Sequence, residues 1–507
     1  MPKATNTQKE EPMKKSRIMQ ILEDTWTTSK LHFTKKISQI NWHDKSLDLA
    51  IIFLLISIAL FIRILLAYQF RKEYGYGSPS IIWNNNLPFT FSNVYVEGFA
   101  DFMAYYQPWI RGWYEENWYP YVFQEPYNAL DYYSYPPVFL YFLVLTWRPG
   151  MTDFWMAFPM VFADAACAGV VYLIVKNILK KDYARGVGIF AGVLMALAPI
   201  NVVYDGIYWL NPGPVTLLTL IAFYFAIKRK WWQAFFWLAI ASMTKQNALF
   251  FTYPLFFVML GQKTREKSIW EAIIESIGNA LVYVLVVLIL SVPWIFLTPF
   301  EYGRHMLFPG RSIELTTDIV DPPINDCVSF ARSLYALAFP GWILRIVALG
   351  NYSMIWMILS ATIIAVFLLW RSYSNKLDGT GFFEWIAAYT IFTHIFMPRG
   401  VYKFYTAYYV PMILIALICS LTHMLDNPKF LLIGLISSSS LFLGFNFWLI
   451  TMNRFIVPFY LFMVAIAILI LKTIRRFLIS QKSKRINKKS IDNYLENQIG
   501  TKIAAKH

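Results

Sequence analysis

The chain has 507 residues, 57% of them hydrophobic and only 15% charged, with a mean hydropathy of +0.46. No soluble domain of this size is so apolar, so the composition predicts an all-α polytopic membrane protein. The net charge of +15 does not point to nucleic acid, because the excess Lys and Arg fall in the two tails and in short loops at 176–185, 228–230, 263–267 and 371–376. That is the positive-inside pattern, with both basic tails facing the cytoplasm.

In chain order, a basic tail over 1–46 leads into a first span at 47–68, which is too long and too far from the start for a cleaved signal peptide. Further apolar windows lie near 153–176, 186–203, 213–228, 270–298, 351–370, 382–397, 404–424, 429–450 and 454–472. Between Lys230 and Gly261 the apolar run is interrupted by Thr244-Lys-Gln-Asn247, which predicts two short helices meeting at a polar apex. The total is about twelve spans in a domain covering 47–472, and a second basic tail over 473–507 closes the chain. Residues 1–20 and 480–507 are polar and Lys-rich, and are expected to be disordered.

The external loops predicted by this orientation carry nearly all the unusual chemistry. The first, 69–152, holds Glu97, Asp101-Phe-Met-Ala-Tyr-Tyr, an aromatic run to Tyr119-Pro-Tyr121, and Tyr133-Ser-Tyr-Pro-Pro137 opening a short apolar helix. Read as a span, that short helix would turn the basic cluster at 176–185 outward, so it is placed within the loop. The second long external loop is 299–350.

Asp101 opens a helical pattern in which Tyr105 and Trp109 share its face. A carboxylate there also reads as a first-turn acid gaining from the helix dipole. Asp164, inside a span, calls for a polar cavity or a basic partner, and a structural role is at least as plausible as catalysis. Lys245 at the apex reads either as a snorkelling lysine or as an external cation. Arg399 with Lys403, and Arg304 with His305 and Arg311, make two more external basic groups. Basic residues on that side run against the charge bias, and binding a lipid-linked phosphate at the outer surface accounts for them. The three cysteines, Cys167, Cys327 and Cys419, imply no disulfide framework.

Taken together, these residues resemble the C superfamily of integral-membrane glycosyltransferases, which use dolichyl- or polyprenyl-phosphate sugars. Asp101-Phe-x-x-Tyr-Tyr, Gly112, Tyr119-Pro-Tyr121 and Tyr133-x-Tyr-Pro-Pro137 resemble the first-loop pattern of the mannosyltransferases of this superfamily. Tyr135-Pro-Pro, Ala163-Asp164-Ala, Lys245-Gln246-x-Ala-Leu-x-x-x-x-Pro254 and Leu307-Phe-Pro-Gly-Arg311 are similar in order to motifs of its glucosyltransferases. The resemblance covers about residues 47–425 and implies hexose transfer, mannose or glucose, to a glycan or glycolipid acceptor. The active site would be extracytoplasmic, which in a eukaryote is the lumen of the endoplasmic reticulum.

By that resemblance Asp101 is the catalytic base. Lys245, Arg311, Arg399 and Lys403 hold the donor phosphate, and Glu97, Tyr105, Tyr135, Gln246 and His305 line the substrate site. Two departures matter. The first loop has no Asp-x-Asp pair, which argues against a required metal ion, and no other cofactor is implied. Val401-Tyr-Lys403 stands where the glucosyltransferases carry His-Glu-Lys, which leaves the donor sugar open. A secondary transporter or lipid flippase is the alternative expectation, and a non-catalytic scaffold with a carbohydrate-binding loop is a third.

Overall fold

The structure is a computed structural model that describes residues 45–72, 101–121, 133, 135–180, 182–307, 329–352, 355–397, 402–424 and 428–504. It is 86% helix, with no strand among the described residues. The chain divides into a unit of residues 1–50 and one of 51–507. Of the first unit, the described residues are the opening turns of helix α1 (Lys45–Lys72), and the rest of the description concerns the second.

Among the described residues, seven helical segments are long and apolar enough to cross a membrane: Ser46–Gln69, Phe154–Leu179, Ala184–Ile207, Ile269–Leu297, Ile355–Tyr373, Leu431–Thr451 and Arg454–Gln481. The windows expected at 213–228, 382–397 and 404–424 are the shorter helices Pro212–Ile227, Gly379–Ile395 and Val410–Met424. A straight 16-residue helix reaches only about 24 Å, short of a ~30 Å hydrocarbon core. The apex splits Trp231–Thr244 from Thr252–Glu266, with a 3-10 turn, Gln246–Phe251, between them. The last helix runs unbroken over Val457–Ala504, so the tail expected to be disordered from 480 is helical through 504. Its Lys, Arg, Leu, Gln and Glu lose little rotamer freedom in a helix, and no glycine or proline interrupts it between Pro458 and Gly500.

In chain order the other helices used below are α2 (Gln107–Glu115), α3 (Pro137–Thr146), α4 (Phe154–Leu179), α5 (Ala184–Ala196), α6 (Pro212–Ile227), α7 (Trp231–Thr244), α8 (Thr252–Glu266) and α9 (Ile269–Leu297). Helix α4 is the hub, packing on α5, α6 and Val410–Met424. Small residues permit this. A Cβ on Gly192 would lie 2.6 Å from Leu55 Cδ1 and 3.0 Å from the Ala168 carbonyl oxygen, so α5 and α4 meet backbone to backbone. Helix α7 packs on both α6 and α9. Helix α9 begins at a capping box, in which Ser268 Oγ accepts from the Glu271 amide and Glu271 Oε2 accepts from the Ser268 amide.

Candidate active site around Lys245

Helix α7 stops where Lys245 adopts an extended backbone, φ −155° and ψ 136°, before the 3-10 turn. The break buries the lysine to 5% exposure. Its Nζ donates to Asn211 Oδ1 at 3.0 Å and lies 4.2 Å from the Tyr405 ring centre, 5.1 Å from Tyr408 and 5.4 Å from Tyr135. Tyr408 also donates to Asn211 Oδ1, at 3.2 Å. Three aromatic faces and one amide oxygen thus replace water around the ammonium, and a desolvated cation–π contact is worth about 2 kcal/mol.

Each wall comes from a different element. Pro136 and Pro137 open α3 and fix Tyr135 just before it, and the Tyr135 carbonyl accepts from Tyr121 Oη at 3.0 Å. Tyr405 and Tyr408 belong to a 3-10 turn, Lys403–Tyr408. Asn211 directly precedes Pro212, the first residue of α6, at the end of a tight segment that follows a π-helical turn, Val202–Ile207. In that segment Trp209 has a left-handed backbone, φ 62°, a costly conformation for a bulky residue. Its ring packs edge-on against Phe102 at 5.1 Å, which joins the Asn211 segment to the residue after Asp101.

Asp101 is half-buried and starts a π-helical turn, Phe102–Tyr106. Its side chain makes no capping bond, so the first-turn-cap expectation fails in its simplest form. Burial pushes its carboxyl up to about 7, and the positive charge of Lys245 opposes that rise. The charge of Lys245 thus reaches Asp101 electrostatically, while the Asp101 carboxyl makes no hydrogen bond or ion pair among the described residues. The π-turn adds a residue to the helical repeat and brings Tyr106 within electrostatic reach of Asp101. Burial first, then Tyr135 and Asp101, hold the Tyr106 phenol well above its usual range.

The other expected residues are placed as follows. Gln246 is half-buried directly after Lys245, and Tyr105 packs on Trp109 at 5.7 Å. Lys403 is buried with its Nζ donating to the Ile450 carbonyl at 2.9 Å, at the end of helix Pro428–Thr451. His305 sits in an aromatic cluster, 5.7 Å from the Tyr121 ring, and burial pushes its imidazole down to about 4. It is thus neutral at physiological pH and supplies no cation. Asp164 is fully buried and pairs with Arg63 Nε at 2.5 Å, while its other oxygen accepts from Asn201 Nδ2 at 2.8 Å. Glu97, Arg311 and Arg399 lie outside the described residues, as does Cys327, while Cys167 and Cys419 are buried free thiols.

Sequence reasoning missed Asn211 and Tyr408, and it named Tyr106 only as part of the aromatic company of Asp101. Asn211 and Pro212 read as the end of an external loop and Gly213-Pro214 as the start of the next span, with nothing to mark the Asn211 amide as a ligand. A Cβ on Gly213 would meet the Met160 carbonyl oxygen at 2.5 Å, so the first turn of α6, directly after Asn211, is seated against α4. No family model and no curated protein matches the chain.

Proposed function

We propose that this chain is a multi-pass membrane glycosyltransferase that moves a hexose from a polyprenyl- or dolichyl-phosphate donor to an acceptor hydroxyl on the extracytoplasmic side. The observation that carries the reading is the Asp101–Lys245 pair. It joins a carboxyl poised near neutrality with a caged ammonium, the two groups an inverting displacement from a lipid phosphate requires.

In that displacement the acceptor oxygen bonds to the anomeric carbon as its proton passes to Asp101. The bond from that carbon to the phosphate oxygen breaks, and the electron pair leaves with the lipid phosphate. Stereochemistry inverts in one step, as at the base of an inverting glycosidase. The leaving phosphate gains its second negative charge next to Lys245, whose ammonium stabilises it with no general acid needed. Tyr135, Tyr405 and Tyr408 keep water from the cation and offer flat apolar faces of the kind that pack against sugars.

The test is incubation of the purified protein with radiolabelled polyprenyl-phosphate mannose and polyprenyl-phosphate glucose. Release of polyprenyl phosphate that disappears in Asp101→Asn supports the reading. No release from either donor across several acceptors sinks it. A transporter or flippase is the second reading, favoured by the interrupted helices at 202–207 and 245–251 together with the buried Arg63, Asp164 and Asp205 within spans. It predicts donor movement across a vesicle membrane with the sugar–phosphate bond intact.

A further inference from the structure

At the other end of α7 lies a cleft of about 550 Å³ that the proposed transfer does not use. Helix α7 is 14 residues long, which sets the cleft about 20 Å from Lys245 at 1.5 Å per residue. The cleft is walled by the turn between α6 and α7, the last turn of α8 and the first turns of α9. Its lining holds four cations, Arg229, Lys230, Lys263 and Lys267, against two carboxylates, Glu266 and Glu275. Those carboxylates are already engaged. Glu275 bridges Lys263 at 2.7 Å and Lys267 at 2.8 Å, and Glu266 takes Arg229 at 3.4 Å. Lys230 is exposed and has no ion pair among the described residues. Two positive charges are therefore unbalanced.

The turn that presents Arg229 and Lys230 is itself fixed. The Arg229 amide donates to the Ala226 carbonyl and the Lys230 amide to the Phe225 carbonyl, both at 2.9 Å. Gln233 and Gln262 also line the cleft, and each has a buried Oε1 with no hydrogen-bond partner. An unsatisfied buried acceptor calls for a donor such as a hydroxyl. Trp232 in the lining is 55% exposed, and on the first turns of α9, which also supply Glu275 and Asn279 to the cleft, Trp270 and Ile274 are 72% and 69% exposed. Helix α9 continues that face along its length, through Ile277, Leu281 and Leu285, and is long and apolar enough to cross a membrane.

We infer that this cleft binds the headgroup of an anionic phospholipid, its phosphate held by Arg229, Lys230 and Lys267 and its hydroxyls by Gln233 and Gln262. The acyl chains then lie along the exposed face of α9. Interfacial tryptophans beside a basic pocket are the usual frame for such a headgroup. A free soluble phosphate would leave the apolar flank without a role, and the flank is what selects the lipid. The inference is independent of sugar transfer.

The test uses the full-length protein in phosphatidylcholine nanodiscs doped with phosphatidylglycerol, with lipids retained after extraction counted by native mass spectrometry. At roughly fivefold per unbalanced cation, wild type should prefer phosphatidylglycerol over phosphatidylcholine by about 30-fold. Arg229→Gln/Lys230→Gln/Lys267→Gln should abolish that preference while melting at the wild-type temperature in pure phosphatidylcholine. If the triple variant does not fold, Lys230→Gln alone should cut the preference by about fivefold. Equal retention of the two lipids by wild type overturns the inference, as does an unchanged preference in the folded variant. Displacement of the lipid by millimolar glycerol 3-phosphate overturns the lipid assignment, because the headgroup alone would then suffice.

Discussion

Replacing Asp101 with Asn should remove activity and stabilise the fold at once, and the two effects have different pH signatures. The carboxyl is raised from 3.8 to about 7. Because the folded state binds this proton more tightly than the unfolded state, stability falls as pH rises through the interval and the loss is complete above about 7. Three units correspond to roughly 4 kcal/mol, of which about 2–3 kcal/mol develops between pH 5 and pH 7. Asn has nearly the same shape and never ionises, so it avoids this cost. Asp101→Asn should therefore melt at least a few degrees above wild type at pH 8 in detergent, with the gap shrinking toward pH 5. In the transfer assay the same variant should lose about 10²–10⁴-fold in turnover. Wild-type turnover should fall about tenfold per pH unit below 7 as the base is protonated. An Asn variant that transfers normally would remove Asp101 from the chemistry. One with no pH-dependent gain in stability would show that the carboxyl is not held under strain by burial.

Three further outcomes follow from named contacts. Lys245→Gln should lower kcat/KM by about 10²–10³-fold, and it should move the acid limb of the pH profile upward because the charge that opposes the Asp101 shift is gone. Arg63→Met strands a buried Asp164 and should cost about 3–5 kcal/mol in thermal unfolding, part of which Arg63→Met/Asp164→Asn should recover. Gly213→Ala forces a methyl against the Met160 carbonyl oxygen and should cost about 1–3 kcal/mol, with turnover falling further because Asn211 shifts with the loop.

Helix type and the break at 244–247 were legible because apolar period and polar interruption are local signals. The Tyr-Pro-Pro stretch was legible as a helix start, but not as the device that aims Tyr135 at Lys245, because that depends on where α3 lands. Asp101 was found from its aromatic and acidic neighbours and the motif it opens, while a 3.6-residue period put Tyr105 and not Tyr106 on its face, and the π-turn does not follow that period. Lys403 looked like a phosphate ligand from its neighbours in sequence. What the sequence could not show is that a helix C-terminus, at Ile450, occupies its ammonium.

Direct ion pairing sets the structural charges apart from the proposed site. Arg475 gives two bonds to Glu384, at 2.9 and 3.0 Å, and Ser420 Oγ adds a third to that carboxylate at 2.7 Å. Arg63 binds Asp164 and two backbone carbonyls, at 3.0 and 2.9 Å. These direct ion pairs lock helices together, and removing one member strands the other, although Arg63 Nη2 is left without a partner. Asp101 is the opposite case. It is raised by burial against the opposing charge of Lys245, whose ammonium donates to Asn211 Oδ1 and lies over the Tyr405 ring. A fold optimised for stability alone would close that gap with a direct ion pair, or replace both groups with apolar ones. Keeping the pair apart costs stability, and under the proposed transfer a ligand that brings a hydroxyl to Asp101 and a phosphate to Lys245 accounts for the separation.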